Sequence, residues 1–510
     1  MYNDKKDQYS LPLPEFELHF EGKLNPENRW IKLSQVIQWE QLEFKSGYAN
    51  LFSNEKKGRV AFPFRVALGA LIIKAKLNIT DEETVEQIFE NPYLQSFLGY
   101  EKQLEEKPFS PSLMVHFRRR LSECGIQEVS ENIILDLLKE KNNSNDDDPP
   151  TNSTPGNKND GKSGNAKIDA NGSTLRGNKG ELIIDASLIP SDIRYPTDIA
   201  LINEGRETAE KILDTLSSFS TNARPRTYRK VARKSFVSFI KRRKPNKKQV
   251  KKARRKQLNY LKRILKYIDM LCENYYEKLS KKQLRDMWVI KEMYRQQSEI
   301  LKNGGTVEDR IVSIRMPNVR AVVRGKAGKH TEFGPKISLS TFDGFVSIDR
   351  LSWNNYNEGG DLKMQVEKYK ERYGYYPEVV LADQIYGNKN NRKYLEELGV
   401  RFGGKALGRK QKEKKNQFER DSRRRNEVEG RFGIAKRKYG MNRVLEYNTK
   451  CAEVSAMMIT VAMNLDAWLR IASKSFLSHW VIEKLLLELN IKIEIMSPKM
   501  TLPQNPEPVQ

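Results

Sequence analysis

The sequence predicts a mixed architecture of strands and helices, α+β to α/β in class, preceded by an all-α N-terminal region. Three observations predict it. Short apolar runs bounded by turn residues, ELIIDASLIP from 181, FGPKISLSTFDGFVSIDRLSW from 333 and PEVVLADQIYG from 377, read as buried strands. Helical stretches, DLKMQVEKYKERYG and NKNNRKYLEELG, alternate with the last of these strands, as in an open sheet covered by helices. Residues 1–140, in contrast, carry helical periodicity.

The N-terminal elements come first. RVALGALIIKAKLN (65–78) is an apolar helix. Thr80 stands three residues before Glu83, a capping-box spacing that starts the next helix. Pro92 after Asn91 breaks or restarts it. SPSLMVHFRRRLSECG (110–125) is a further helix and carries Arg118, Arg119 and Arg120 together. Short helices ending in a basic one suit a helix-turn-helix-like DNA binder, and they equally suit a helical bundle with a solvated basic end. Residues 141–180 are almost without apolar side chains and read as a disordered polar linker.

From Glu181 the pattern changes. After ELIIDASLIP the chain turns helical, and residues 224–263 hold 19 Lys or Arg and no acid, with Tyr228, Phe236, Phe239 and Tyr260 interleaved. Like charges at that density repel unless neutralised, so a phosphate backbone is their natural complement. Asn303-Gly304-Gly305 ends the helical stretch. RIVSIRM and VRAVVRG read as strands, and Asp343-Gly344 as a hairpin turn between alternating runs. A short strand (VRFGGKAL), a basic stretch (409–439) and the helix AEVSAMMITVAMNLDAWLRIA close the unit. The expected organisation is a helical DNA-binding or dimerisation domain at 1–140, a linker at 141–180, a catalytic domain at 181–475 with a basic helical insertion near 205–305, and a C-terminal helix and tail at 476–510.

Net charge narrows the partners. The chain has 91 Lys and Arg against 66 Asp and Glu, a formal charge of +25 and a pI near 9.6. A polyanion is the expected partner, nucleic acid ahead of anionic membrane. Cys124, Cys272 and Cys451 are far apart and form no CxxC pair, so neither a zinc ribbon nor a disulfide framework is indicated. The N-terminus has no signal-peptide core, and no apolar run reaches the length of a membrane span.

Three acids stand in contexts suited to binding a metal. Asp185 follows Leu182, Ile183 and Ile184, and Asp383 follows Val379, Val380, Leu381 and Ala382, so each ends a strand-like run. Rigid strand ends hold ligands well. Arg425, Glu429 and Lys436 are spaced i, i+4 and i+11, which puts them on one stripe of a helix, while Glu427 falls on another face. Phe432 and Ile434 give that helix an apolar side. Taken singly, a strand-end Asp is more often a cap, and such a stripe more often a solvated salt-bridged face. Together they are the layout for two magnesium ions and an in-line displacement at phosphorus. Asp198 reads as a helix cap, Asp343 as a turn residue, Asp349 as a strand end and Asp192 as a possible supporting acid.

These stretches resemble the DDE transposases of bacterial insertion sequences of the IS-five type. DASLIPSDIRYPTDIALINEGRE is similar to that family's first-aspartate region, LADQIYGNKNNRKYLEELGVRFGGKALG to its second, and RNEVEGRFGIAKRKYG to its tyrosine, arginine, glutamate, lysine signature. Arg425, Glu429 and Lys436 fit that spacing; Ser422 stands where the family has tyrosine. Residues 65–121 resemble the domain that precedes the family's catalytic core. The resemblance implies an RNase H-like core with Asp185, Asp383 and Glu429 as catalytic and metal-binding residues and two Mg2+ ions, with Mn2+ as a substitute. It implies Arg425 and Lys436 on backbone phosphates, with Lys336, Arg392 and His330 along the DNA channel. The partners would be double-stranded DNA, both element ends and target, and a second copy of the chain. The setting would be the bacterial cytoplasm, at the nucleoid when DNA-bound, with no membrane. Alternatives are a nuclease of the same core without joining activity, a decayed transposase that only binds DNA, and a basic RNA-binding protein.

Overall fold

The computed structural model describes residues 23–52, 60–146, 177–221, 223–323, 331–405 and 414–496. Most of the expected polar linker (147–176), His330 and the tail after 496 lie outside the described residues.

Seven helices come first: α1 (Arg29–Val36), α2 (Trp39–Ser46), α3 (Phe64–Leu77), α4 (Asp81–Glu90), α5 (Pro92–Phe97), α6 (Leu113–Glu123) and α7 (Ile126–Asp146). α3 is apolar on nearly every side and is buried from Phe64 through Ile73, so it forms the centre of this group. Thr80 caps α4 by accepting from the Glu83 N–H at 3.1 Å. Pro92 occupies the first turn of α5, where its missing N–H costs nothing, and Asn91 caps that helix.

The sheet is assembled from distant segments. Its strands are β1 (Glu181–Leu188), then, after a two-stranded hairpin of β2 (Ala321–Val323) and β3 (Thr331–Phe333), β4 (Lys336–Phe342), β5 (Phe345–Ser352), β6 (Val379–Leu381) and β7 (Arg401–Phe402). The five-stranded order is β5-β4-β1-β6-β7. β5, β4 and β1 are antiparallel, whereas β6 and β7 run parallel to β1. The β4–β5 turn has Asp343 at φ 51° and Gly344 at φ 85°, the left-handed pair that a two-residue hairpin requires.

Between β1 and β2 the chain makes four helices, α8 (Asp198–Ser217), α9 (Arg229–Ile240), α10 (Lys247–Tyr275) and α11 (Lys281–Asn303). They bury a core of their own, built from Ile202, Leu213, Leu261, Ile264, Ile268 and Ile290 among others. After the sheet's third strand come α12 (Leu362–Tyr373), α13 (Lys389–Glu397), α14 (Lys414–Lys438) and α15 (Thr449–Met496). α15 packs on α3, α6, α7 and β5. The N-terminal helices and the sheet therefore share one continuous apolar core. The Thr449–Ser473 stretch of α15 is long and apolar enough to cross a bilayer, but 67% of its apolar window is buried inside the protein, so its hydropathy is that of a core helix.

Two sequence expectations change. RIVSIRM forms no strand. Its side chains instead divide between two clusters, Ile311 and Ile314 in the insertion core, Val312 and Met316 against Ile193, Phe333 and Trp353. Asp198 is the first residue of α8 rather than its cap, and its carboxylate is occupied by Arg254 and Arg310.

Candidate active site

The parallel register places two of the acids side by side. Ile183 on β1 pairs with Leu381 on β6. Asp185 and Asp383 each lie two residues further on, and side chains two apart share a face. Asp383 stands just beyond the end of β6, but Asp185 lies within β1, which continues to Leu188 instead of ending at the Asp as its sequence context suggests, because Ala186, Ser187 and Leu188 go on pairing with β4. Asp185 is half-buried and its Oδ1 accepts from the Ala186 N–H at 2.8 Å. Asp383 caps the short turn after β6, accepting from the Gln384 N–H at 2.7 Å, and is 60% exposed.

α14 brings the third acid. Val428, Phe432 and Ala435 are buried and seat it across β1 and β6. Arg424 pairs with Glu181 at the start of β1, and Lys436 Nζ donates to Ser187 Oγ (3.1 Å) near its end. Twelve helical residues rise about 18 Å and six strand residues about 20 Å, so helix and strand keep step along their whole contact. Arg425 reaches across to Asp383, just past the end of β6. Its guanidinium lies 3.1 Å from Asp383 Oδ1 and 3.9 Å from Glu429 Oε1. The stripe of Arg425, Glu429 and Lys436 thus faces the acid-bearing end of the sheet.

Asp185 is perturbed chiefly by burial. Its pKa is pushed up to about 6, first by burial, against the lowering effect of the Ala186 N–H; Glu358 and Asp383 raise it further and Arg425 opposes them. Glu358 is an acid that the sequence reading did not single out. It lies in NNYNEGGDL, a polar loop whose composition gives no sign that it folds back on the sheet.

The remaining expected DNA contacts are placed as follows. Lys336 is paired with Glu358 at 2.5 Å, donates to the Tyr356 carbonyl at 2.9 Å and is 15% exposed. Arg392 stacks on Phe402 and donates to the Gly387 and Lys405 carbonyls. Arg118 is buried against Asp81 through both guanidinium nitrogens. Arg119 is exposed beside His116, and Arg120 lies over the Phe52 ring, 4.6 Å from its centroid. Asp192 pairs with Arg443. Asp349 is fully buried in an ion network with Arg372.

Among the described residues, no group of three or more His, Cys, Asp or Glu is gathered closely enough to hold a metal as it stands. Arg425 is the cation between Asp383 and Glu429. The donor set is nonetheless the all-oxygen kind that magnesium and manganese take.

The sheet order, with an antiparallel meander on one side of β1, parallel strands on the other and a helix across them, defines an RNase H-like fold. A "Transposase DDE domain" family model matches residues 380–467. A "Transposase domain" model matches residues 18–120. The chain therefore carries a DDE transposase domain and the N-terminal transposase domain typical of insertion-sequence transposases. It is also similar to the "Uncharacterized protein ORF8 in nfe locus" of Rhizobium meliloti, 31% identical over 114 residues, which are 22% of this chain and 53% of that protein. The chain thus spans about half the length of this curated relative. No solved structure matches. The DDE match begins at Val380, so it includes Asp383, Arg425, Glu429 and Lys436 but not Asp185.

Proposed function

We propose that the chain binds the terminal inverted repeats of an insertion sequence and catalyses metal-dependent strand cleavage and strand transfer, with Asp185, Asp383 and Glu429 as its acid triad. The observation that carries this reading is the register of β1 with β6. It sets Asp185, outside the family match, beside Asp383, inside it.

Two Mg2+ ions, or Mn2+ in their place, held by the three carboxylates would supply Lewis acidity to the attacking and leaving oxygens of an in-line displacement at phosphorus. The protein's own groups prepare that site. Arg425 aligns Asp383 and Glu429 through one planar guanidinium. Displaced from those carboxylates, Arg425 would turn to a DNA phosphate, and Lys436 would hold a second phosphate near the scissile bond. Lys336, Arg392 and Arg118 are spent on internal partners, so the reading leaves them out of the DNA contacts and keeps Arg119 and Arg120.

The insertion supplies further phosphate contacts. At its base, Arg224, Arg229 and Arg254 are paired with Asp214, Glu210 and Asp198. Towards α9 and the start of α10, Lys230, Arg233, Lys234, Lys247, Lys248 and Lys251 are exposed and form no ion pair among the described residues. A duplex backbone satisfies that surface. A second copy of the chain would synapse the two element ends, in the bacterial cytoplasm.

The test is excision of the flanking element from a plasmid with Mg2+ or Mn2+, comparing wild type with Asp383→Asn and Glu429→Gln and measuring DNA binding for all three. Excision by wild type alone, with binding retained in both variants, supports the reading. Equal activity in the variants places the active site elsewhere. Binding without cleavage by wild type favours a protein that only occupies its repeats.

A further inference from the structure

α10 carries a straight line of cations along its solvent face. One side of the helix is its core face, where Leu258, Leu261, Ile264, Leu265 and Ile268 are buried. On the opposite side Lys248, Lys252, Arg255, Asn259, Lys262 and Lys266 recur at steps of three or four residues, the spacing that keeps side chains on one stripe. All six are exposed, and the five cations form no ion pair among the described residues. From Lys248 to Lys266 the helix rises about 27 Å.

An ordinary solvated helix relieves such a stripe with acids of its own. On α11, in the same insertion, Arg295 is paired with Glu292 and Glu299 along the helix, and Lys291 with Asp269 across to α10. The α10 stripe has no such relief, because the helix holds no acid before Asp269. A second observation adds to it. Tyr228 stands in the left-handed backbone region at φ 55°, uncommon for an aromatic residue. There its ring gathers two further cations, Arg226 at 4.9 Å and Arg263 at 4.7 Å from the centroid. Arg263 follows Lys262, so this cluster lies beside the stripe.

The chemistry of this face suits phosphates rather than base edges. Four of its five cations are lysines, flexible point charges that meet a phosphate without demanding a particular base. The neighbouring amides are committed elsewhere. Asn246 and Gln249 cap α10 through each other, and Gln257 is buried and donates to the Ala232 carbonyl. Over about 27 Å each strand of a duplex presents about eight phosphates, enough for every cation of the stripe.

We propose that this face of α10 binds duplex DNA without regard to sequence and holds the target duplex, apart from the surface that recognises the element ends. The assignment to target DNA rests on the strand-transfer reading. A target of no fixed sequence is held by contacts to its phosphates alone.

The experiment is fluorescence anisotropy of the full chain with two duplexes, one of random sequence and one carrying the terminal repeat, over about 50 to 200 mM salt. Wild type is compared with two triple variants, Lys252→Gln/Lys262→Gln/Lys266→Gln and Lys252→Arg/Lys262→Arg/Lys266→Arg, each checked for its melting temperature. Loss of three phosphate contacts is expected to flatten the log–log salt slope for the random duplex by about 2.7 in the Gln variant. The Arg variant keeps the wild-type slope, both variants keep tight binding of the terminal repeat, and strand transfer into random target falls in the Gln variant. An unchanged random-duplex slope in the Gln variant overturns the proposal. Equal loss on both duplexes assigns the stripe to the element ends and overturns the target role. Tighter binding of a single-stranded RNA than of the random duplex overturns the choice of partner. A wild type that binds both duplexes alike overturns the terminal-repeat reading instead, and the slope of the Gln variant still decides whether the stripe binds DNA.

Discussion

The N-terminal helices and the insertion α8–α11 are both all-helical, yet they are built into the molecule in opposite ways. The N-terminal helices are joined to the sheet by a long polar segment, but their apolar side chains merge with those of α15 and the sheet in one core. The insertion is continuous with β1 in sequence but buries a separate core. Distance along the chain therefore says little about which parts stand or fall together. What decides it is which apolar faces meet, and α15 presents one side to α3, α6 and α7 and another to β5.

The comparison is easiest to break at Arg372. Its guanidinium is 4% exposed and joins Glu131 on α7 (2.7 Å) to Asp349 on β5 (3.4 Å) and Ser347 (3.0 Å). Removing one member of a buried ion network strands the others, at a cost of about 3–5 kcal/mol. Arg372→Met is expected to lower the melting temperature of N-terminal helices and sheet together, in one transition. Hydrogen exchange showing loss in α12 and β5 alone, with α7 unaffected, would mean that the two do not share a core.

A matched pair of cavities sharpens the same point. Ile134 on α7 and Ile264 on α10 are both fully buried. Each truncation to alanine should cost about 2–5 kcal/mol. Ile134→Ala is expected to destabilise the sheet along with the helices. Ile264→Ala is expected to raise exchange only in α8–α11 and to leave metal-dependent cleavage at saturating DNA unchanged. Equal loss of protection in the sheet for both variants would erase the distinction.

The smallest effect is a pH dependence confined to the shared core. Burial raises the Glu43 pKa to about 7, and its Oε1 has no hydrogen-bond partner among the described residues. The folded state then binds the proton more tightly than the unfolded chain does. Stability is therefore highest below the ordinary Glu pKa and falls as pH rises towards 7. Glu43→Gln should flatten that part of the profile and stabilise the protein at pH 8 by about 1–3 kcal/mol, the range for an unsatisfied buried group. A melting temperature that depends on pH equally in both proteins would assign the titration to another group.

Much of the site was legible because it is local. Apolar runs before Asp marked β1 and β6, although β1 continues three residues past Asp185, and the i, i+4, i+11 spacing put Arg425, Glu429 and Lys436 on one face of α14. The basic triplet was less informative. Consecutive helical residues are turned about 100° apart, so three arginines in a row do not share one face, and Arg118 is the one that points in to Asp81. RIVSIRM imitates a strand because it is a seam, with Ile311 and Ile314 facing one core and Val312 and Met316 another. Glu358 carried no sequence signal, since its placement comes from a loop folding back on a turn 25 residues later.

The sequence by itself determined most of the sheet's strands, the helical stripe, the hairpin turn and the chain's basic character. Each of these follows from periodicity, turn chemistry or net charge within a short window. Only the tertiary structure decided that β1 pairs with β6 and so brings Asp185 and Asp383 to one face, that Lys336 pairs with Glu358, and that the N-terminal helices belong to the core of the sheet. Strand register, the pairing of buried charges and the merging of apolar faces are set by contacts between residues tens to hundreds of positions apart, and a local pattern carries no information about them.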